Sequence, residues 1–496
     1  MKIILLPVLL VSLLPVVTPT RGGLTPTAPL AFTHVSVIDG TGAASHSDMT
    51  VVISDGQIKA FGQSAAIHIP GDAQIVDASG KYLIPGLWDM HIHLTIIPDS
   101  SVTQEILAPE LIAYGITSVR DMGGDWGRIQ ALRAAIAEGK IVGPRIISPG
   151  PFVDGAQLAS AFVVPVSNQT DAEQAVRKLK ADGVDFIKVQ SQLSLEAWRA
   201  VLSEADKSGL TVVGHVPERI SAFAVAKSTQ RSIEHISPVL PGDAGILLAC
   251  SGKEDELRAE LLDIEHAADQ PNADRAGLLK RQRALQSQMV ATLDKDKCDS
   301  LLTLLARNGV YVAPTQVFGR NILPLSADDL PKYAALNLAP RSMRERWEAR
   351  RKSVIANSSA EDFALRQKMS DASRSMVGRL NRAGVKLMAG TDAIDAYVLP
   401  GLGLHQELEM MVESGLTPSQ ALQTATHTPA EFLGKLDSSG TIQVGKVADL
   451  VLLTANPLEN ISATQKIDSV VQGGKLFDRK DLDRLLARVR ESADTK

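Results

Sequence analysis

Between about residues 81 and 433 the chain repeats one pattern: a short apolar run, then a helical stretch. The runs are YLIPGLWDMHIH, GITSVRDMG, PRIISPG, VDFIKVQ, LTVVGHV, RSIEHIS, VYVAPTQ and VKLMAGTDA. The stretches between them, such as DAEQAVRKLKADG and LEAWRAVLSEADKSG, carry apolar residues at helical spacing. Each closes on a Gly just before the next strand, as a helix C-cap does. Eight strands alternating with helices predict an α/β fold, a (β/α)8 TIM barrel. Alternation alone also admits a doubly wound parallel sheet.

The flanks have another texture. Residues 31–80 read as short β runs punctuated by Gly40, Asp55-Gly56 and Gly62. Similar runs return only in 434–480, in GTIQVGKVADLVLLTANP and KIDSVVQGGKLFD. The expected arrangement is a small β-sandwich built from both termini, with the barrel of 81–433 inserted between them. Two connections in the barrel are long and helix-prone, at about 237–309 and 317–384. Insertions of that length on a compact barrel are lids, substrate-contacting elements, helical padding or oligomer contacts.

Residues 1–30 read as a signal peptide and linker. Lys2 precedes fifteen apolar-dominated residues, 3–17, which suit a secretory core and fall short of a membrane span. The expectation is therefore an exported protein, periplasmic or secreted, with no membrane insertion after signal cleavage. Two cysteines, Cys250 and Cys298, agree with that compartment. Paired, they would close a loop of about 48 residues, worth about 4 kcal/mol; the other reading is two free buried thiols. A net charge of -5 and 4% aromatic residues give no basic footprint and no stacking platform, so nucleic acid is not an expected partner. A small-molecule substrate is expected, in a chain that could be a homo-oligomer.

The chemistry lies at the strand ends. His91 and His93 sit two apart in LWDMHIHL, so on a strand both imidazoles face one side, as adjacent metal ligands must. Lys188 closes VDFIKVQ, His215 closes LTVVGHV, His235 closes RSIEHI and Asp392 follows VKLMAGT. Singly, each has a structural reading: a core histidine, a helix N-cap, a salt-bridge partner. Together they are four His, one Lys and one Asp at the C-terminal ends of strands in one barrel, the face where barrel enzymes work. Nitrogen and oxygen donors without thiolates suit Zn²⁺ or a similar divalent ion.

LIPGLWDMHIH, FIKV, VVGHV, SIEHI and AGTDA are similar, in order and spacing, to the motifs of the amidohydrolase superfamily of metal-dependent hydrolases. ITSVRDMGG, YVAPTQV, LGLHQELEMMVESGLTPSQALQTATHTPAEFLG and GTIQVGKVADLVLL resemble the subgroup of imidazolonepropionase-like hydrolases, Xaa-Pro-type dipeptidases and ochratoxin amidases. The resemblance spans about 31–478 and is weakest in the two insertions. It implies two divalent metal ions, Zn²⁺ by expectation. His91, His93 and Asp392 would bind one, and His215 and His235 the other. Lys188 would bridge them as a carboxylated lysine. A metal-bridging hydroxide would attack the substrate, with Asp392 as the catalytic proton carrier.

The expected function is hydrolysis of an amide or peptide bond in a dipeptide or N-acyl amino acid. Mononuclear cyclic-amide hydrolase or deaminase chemistry, lactone hydrolysis and a non-catalytic scaffold are the alternatives. His405, thirteen residues past Asp392, together with Tyr397 and Arg320, are candidate substrate contacts. Arg120 and Asp121 read as members of a structural ion pair.

Overall fold

The computed structural model describes residues 28–155, 162–236, 245–321, 335–394 and 397–496. The leader expected in residues 1–30 falls almost entirely outside them.

Seven of the eight apolar runs carry the expected strand, and the eighth, VKLMAGTDA, makes only isolated parallel bridges at Leu387 and Ala393. Leu87–Ile92, Ile116–Asp121 and Arg145–Ile147 form one parallel arc. Val163–Val166, Phe152–Gly155, Ile187–Val189, Val212–Gly214, Gln230–Glu234 and Tyr311–Ala313 form a second, also parallel throughout. The eighth run joins the arcs on one side. Met388 donates to the Val312 carbonyl (2.9 Å), and Met90 donates to the Ala389 carbonyl (2.9 Å). On the other side Asp185 donates to the Ser148 carbonyl (3.0 Å). This is a mixed α/β fold of the TIM-barrel type. Two strands lay outside the expectation, Phe152–Gly155 and Val163–Val166. They are four residues each and carry Gly or Pro, too short to show a period.

The helices between the strands are set by their caps and their apolar faces. Asn168 caps Gln169–Asp182 by accepting from Asp171 N–H, and Gly183 ends it at φ 84°, a left-handed turn that glycine adopts without a Cβ penalty. Leu195–Lys207 starts on Ser194 and buries Ala197, Trp198, Val201, Leu202 and Ala205. That spacing places one stripe against the strands, each large side chain worth about 1.5–3 kcal/mol on burial.

Strands from both ends of the chain share one eight-stranded sheet. Its order runs Lys475–Phe477, Ile467–Gln472, Leu450–Leu453, Tyr82–Pro85, Leu30–Val37, His46–Ser54, Gln57–Gln63, with Gln74–Asp77 beside Leu30–Val37. Asp55 and Gly56 form the two-residue turn of its hairpin, both at positive φ (52° and 73°), as the twist of paired strands requires. One apolar core collects Phe32, Val35, Val51 and Ile53 with Leu450, Leu452 and Val471.

The two long connections are helical. Gly245–Ala249, Glu254–Ala268, Arg275–Ala291 and Lys295–Arg307 occupy the first; Arg341–Ala356 and Ala360–Arg382 occupy the second. Cys250 and Cys298 are joined in a disulfide across the first. A final helix, Arg479–Thr495, packs Leu482, Val489 and Ala493 inward. No helix of the described residues is long and apolar enough to cross a membrane.

Candidate active site

The strand Leu87–Ile92 is buried along its whole length. Alternation puts Asp89 and His91 on one face, and His93 continues that face past the strand's end. Gly390 explains how the eighth run lies so close: a Cβ there would sit 2.7 Å from the His91 Cβ and 2.8 Å from its nitrogen. The Thr391 and Asp392 amides both donate to the His91 carbonyl (3.0 and 2.7 Å). Asp392 is at φ 57°, a left-handed conformation costly for a non-glycine residue, and His235 is at φ 65°. Both kinks depart from strand geometry at the point where the side chain joins the cluster.

The result is a convergence of donors. Asp392 Oδ1 lies 3.5 Å from His91 Nε2 and 3.3 Å from His93 Nε2, and Oδ2 lies 3.8 Å from His235 Nε2. The rings form a chain, with centroids 5.5 Å apart for His93 and His91, 4.8 Å for His91 and His235, and 4.9 Å for His235 and His215. One ligand atom each from His91, His93 and Asp392 fits within 4.8 Å. Gly214, at φ 137°, admits the Val189 carbonyl where a Cβ would be 2.0 Å away, which brings His215 alongside the strand carrying Lys188. Lys188 is 1% exposed, and Asp392 and Glu234 are among its charged neighbours. Its Nζ has no hydrogen bond or ion pair among the described residues and stands 6.0 Å from the Phe152 ring.

Every imidazole in the cluster is held by Nδ1. His91 pairs with Glu234 (2.9 Å), His93 with the Gly123 carbonyl (2.9 Å), His215 with Ser191 (2.8 Å) and His235 with Thr315 (2.6 Å). Glu234 and a carbonyl only accept, so His91 and His93 each carry a proton on Nδ1 and turn Nε2 toward Asp392. Thr315 donates its own hydrogen to the Pro314 carbonyl (2.9 Å), so it too accepts from the ring. This is the outer-shell pattern of metal-ligating histidine.

Charge states agree with that pattern. Burial drives His91 and His215 well below the ordinary histidine range and lowers His235, so the rings are neutral. Burial also lowers Lys188. Burial alone would raise Asp392; it lies below the usual carboxylate range only with positive charge at the imidazoles, His91 foremost, and with neutral rings that charge has to come from a cation among them. His91 Nε2 is buried without a hydrogen-bond partner. An orphaned lone pair facing a carboxylate is costly unless something electropositive occupies the space between, so the residues present fit a metal ion.

A model of the amidohydrolase family matches residues 82–477. The chain belongs to that family. It is accordingly a hydrolase acting on carbon–nitrogen bonds. Among its relatives, ochratoxinase from Aspergillus niger is 23% identical over 433 residues, covering 80% of this chain and 75% of that protein. A Xaa-Pro dipeptidase with bound methionine in its active site superposes with a TM-score of 0.63 at 21% identity, over 91% of this chain and 100% of the other. Bottromycin amidohydrolase superposes at 0.67 and 22%, over 94% and 90%. The two structural likenesses speak for the fold alone.

The other sequence candidates of this amidohydrolase lie elsewhere. His405 is fully buried, with Nδ1 against Thr464 (2.9 Å) and Nε2 against the Tyr114 carbonyl (3.0 Å). Both ring nitrogens are used inside the fold, which leaves none for a substrate. The Tyr397 ring packs on Trp347 (5.3 Å), with its hydroxyl 3.4 Å from Glu348 of the insertion helix. Arg320 donates to Asn321 (3.2 Å). No described contact joins Tyr397 or Arg320 to the imidazoles; from the helix Gln316–Asn321 it is Phe318 that reaches His235, at 6.1 Å. Arg120 does form a structural ion pair, with Glu234 (2.8 Å), whereas Asp121 accepts from the Leu94 amide and from Ser148. Neighbours on a strand face opposite ways, so the two residues answer to different partners. Glu234, Ser191 and Thr315 were not read from the sequence, where nothing marks a Glu or a hydroxyl as a histidine's partner.

Proposed function

We propose that this amidohydrolase is an exported two-metal enzyme that hydrolyses the amide bond of a dipeptide or N-acyl amino acid. The observation that carries the reading is the convergence of four imidazoles, each held by Nδ1, three of them facing Asp392 and His215 stacked next to His235, with the unpaired Lys188 beside them. His91, His93 and Asp392 would hold one divalent ion, with Zn²⁺ as the expected metal, and His215 and His235 the other. Lys188 would bridge the two after adding to carbon dioxide to give a carbamate, with release of a proton. Two such ions would lower the pKa of the attacking water and polarise the scissile carbonyl.

The chain's own groups do the rest. Asp392, ionised and reaching both sides of the cluster, would accept the proton of the attacking water and deliver it to the leaving amine. Phe318 would line the approach on the His235 side and keep water from it. The eight parallel runs are read as a closed (β/α)8 barrel within 81–433, and the terminal strands of 31–80 and 434–480, joined by Tyr82–Pro85 from the start of the inserted region, as a β-sandwich. Export is supported by the apolar leader and by the disulfide between Cys250 and Cys298.

The test is a mass-spectrometric screen for released amino acids. Metal-loaded protein is incubated with dipeptides and N-acyl amino acids. Release from a coherent subset is the expected result. No release, from protein shown to hold its metal, would overturn the amide reading and favour lactones or cyclic amides.

A further inference from the structure

Arg120 is among the largest side chains fully shut away from solvent. It stands on the strand Ile116–Asp121 and reaches two other strands through the interior. Its Nε donates to the carbonyl of Met90, the residue before His91 (2.6 Å), and one terminal nitrogen donates to Ser232 (3.2 Å). The other terminal nitrogen donates to both oxygens of Glu234 (2.9 and 2.8 Å). Ser232 adds a further bond to Glu234 Oε1 (2.5 Å). Glu234 Oε2 is thereby fixed where it accepts from His91 Nδ1 (2.9 Å). Arg120, Ser232, Glu234 and His91 are all 0% exposed.

Two features set this relay apart. Glu234 is the one carboxylate among the four Nδ1 partners; the others are a carbonyl and two hydroxyls. A buried carboxylate is costly unless it is paired, and Arg120 pairs with both of its oxygens. A hydrogen bond to a carboxylate is stronger than one to a neutral acceptor and makes the opposite ring nitrogen a better donor to a cation. The same guanidinium holds the Met90 carbonyl, so backbone and ring of the His91 segment are positioned together.

We propose that Arg120 and Glu234 are positioning residues that lock His91 with Nε2 open and make the His91, His93 and Asp392 side the tighter of the two metal positions. The inference rests on the two-metal reading of the site.

The experiment is a chelator titration of the full-length protein, with bound Zn²⁺ counted by mass spectrometry at each step, alongside thermal melts of the metal-free form. Wild type is expected to lose its ions in two steps. In Glu234→Gln the last ion is expected to leave at about 10–100-fold lower chelator concentration, the scale of losing a ligand's outer partner. Because the glutamine would leave Arg120 unpaired, the double variant Arg120→Met with Glu234→Gln removes both charges and is expected to shift the same step. Retention of the last ion at the wild-type chelator concentration in either folded variant would overturn the proposal. So would a lowered metal-free melt with no shift in retention, the mark of a purely structural pair. Wild type that holds no ion at all would instead refute the two-metal reading.

Discussion

The molecule buries four histidines, His91, His215, His235 and His405, with His93 partly buried beside the first, and the fold treats the five in two ways. At the strand ends His91, His93, His215 and His235 are each gripped at Nδ1, and the Nε2 atoms of His91, His93 and His235 face Asp392. On the helix Leu402–Glu413, His405 is satisfied at both nitrogens, by Thr464 and the Tyr114 carbonyl. Both environments are dry, and burial lowers His405 to about 4 just as it lowers His91, His215 and His235. Burial and a depressed pKa therefore do not distinguish a ligand from a structural histidine. The open nitrogen does.

Substitutions should separate the two regions by what they damage. Lys188→Ala is expected to release the second ion and lower kcat/KM by roughly 10³-fold or more, as loss of a catalytic group does, with little change in the metal-free melt. Metal content and turnover at wild-type levels would remove Lys188 from the site. Thr315→Val should act more gently, weakening metal retention by about 10–100-fold through the His235 ring, a shift read by chelator titration.

His405→Leu should reverse the pattern. It strands a Thr464 hydroxyl and a Tyr114 carbonyl, at a cost of about 1–3 kcal/mol in unfolding free energy, while kcat/KM stays at the wild-type value. A selective loss of activity without a loss of stability would return His405 to the substrate site.

The smallest effect concerns Glu407 on the same helix. It is fully buried, accepts from the Val317 amide (2.7 Å), and burial raises its pKa to about 8 from an ordinary 4.5. A carboxyl raised in the folded state contributes stability that is complete below pH 4.5 and is lost as pH climbs to about 8. Wild type should therefore lose more melting temperature than Glu407→Gln between pH 5 and pH 8. Equal losses would show that Glu407 does not titrate in that window.

The sequence shows one of these regions far better than the other. The eight parallel runs are visible because each is a dense apolar segment closed by a turn residue, and His91 and His93 are visible because a strand's period is two. His235 and Asp392 are harder: their φ angles of 65° and 57° turn them where strand alternation would not. Only their place at the ends of apolar runs marked them. His405 misled because spacing from Asp392 says nothing about Thr464, fifty-nine residues further along the chain. Glu234 passed unnoticed for the same reason, since its partners Arg120 and His91 come from other strands. The helix Arg479–Thr495 was hidden by its charge, with apolar residues only on the buried stripe.

The most direct test of the two-metal account is to strip the full-length protein with chelator and add Zn²⁺ back stepwise while following hydrolysis of an amide substrate found in the screen. The account predicts no turnover in the metal-free protein and activity that rises until two ions are bound per chain. Full turnover without metal, or saturation at one ion with Lys188→Ala unimpaired, would contradict it.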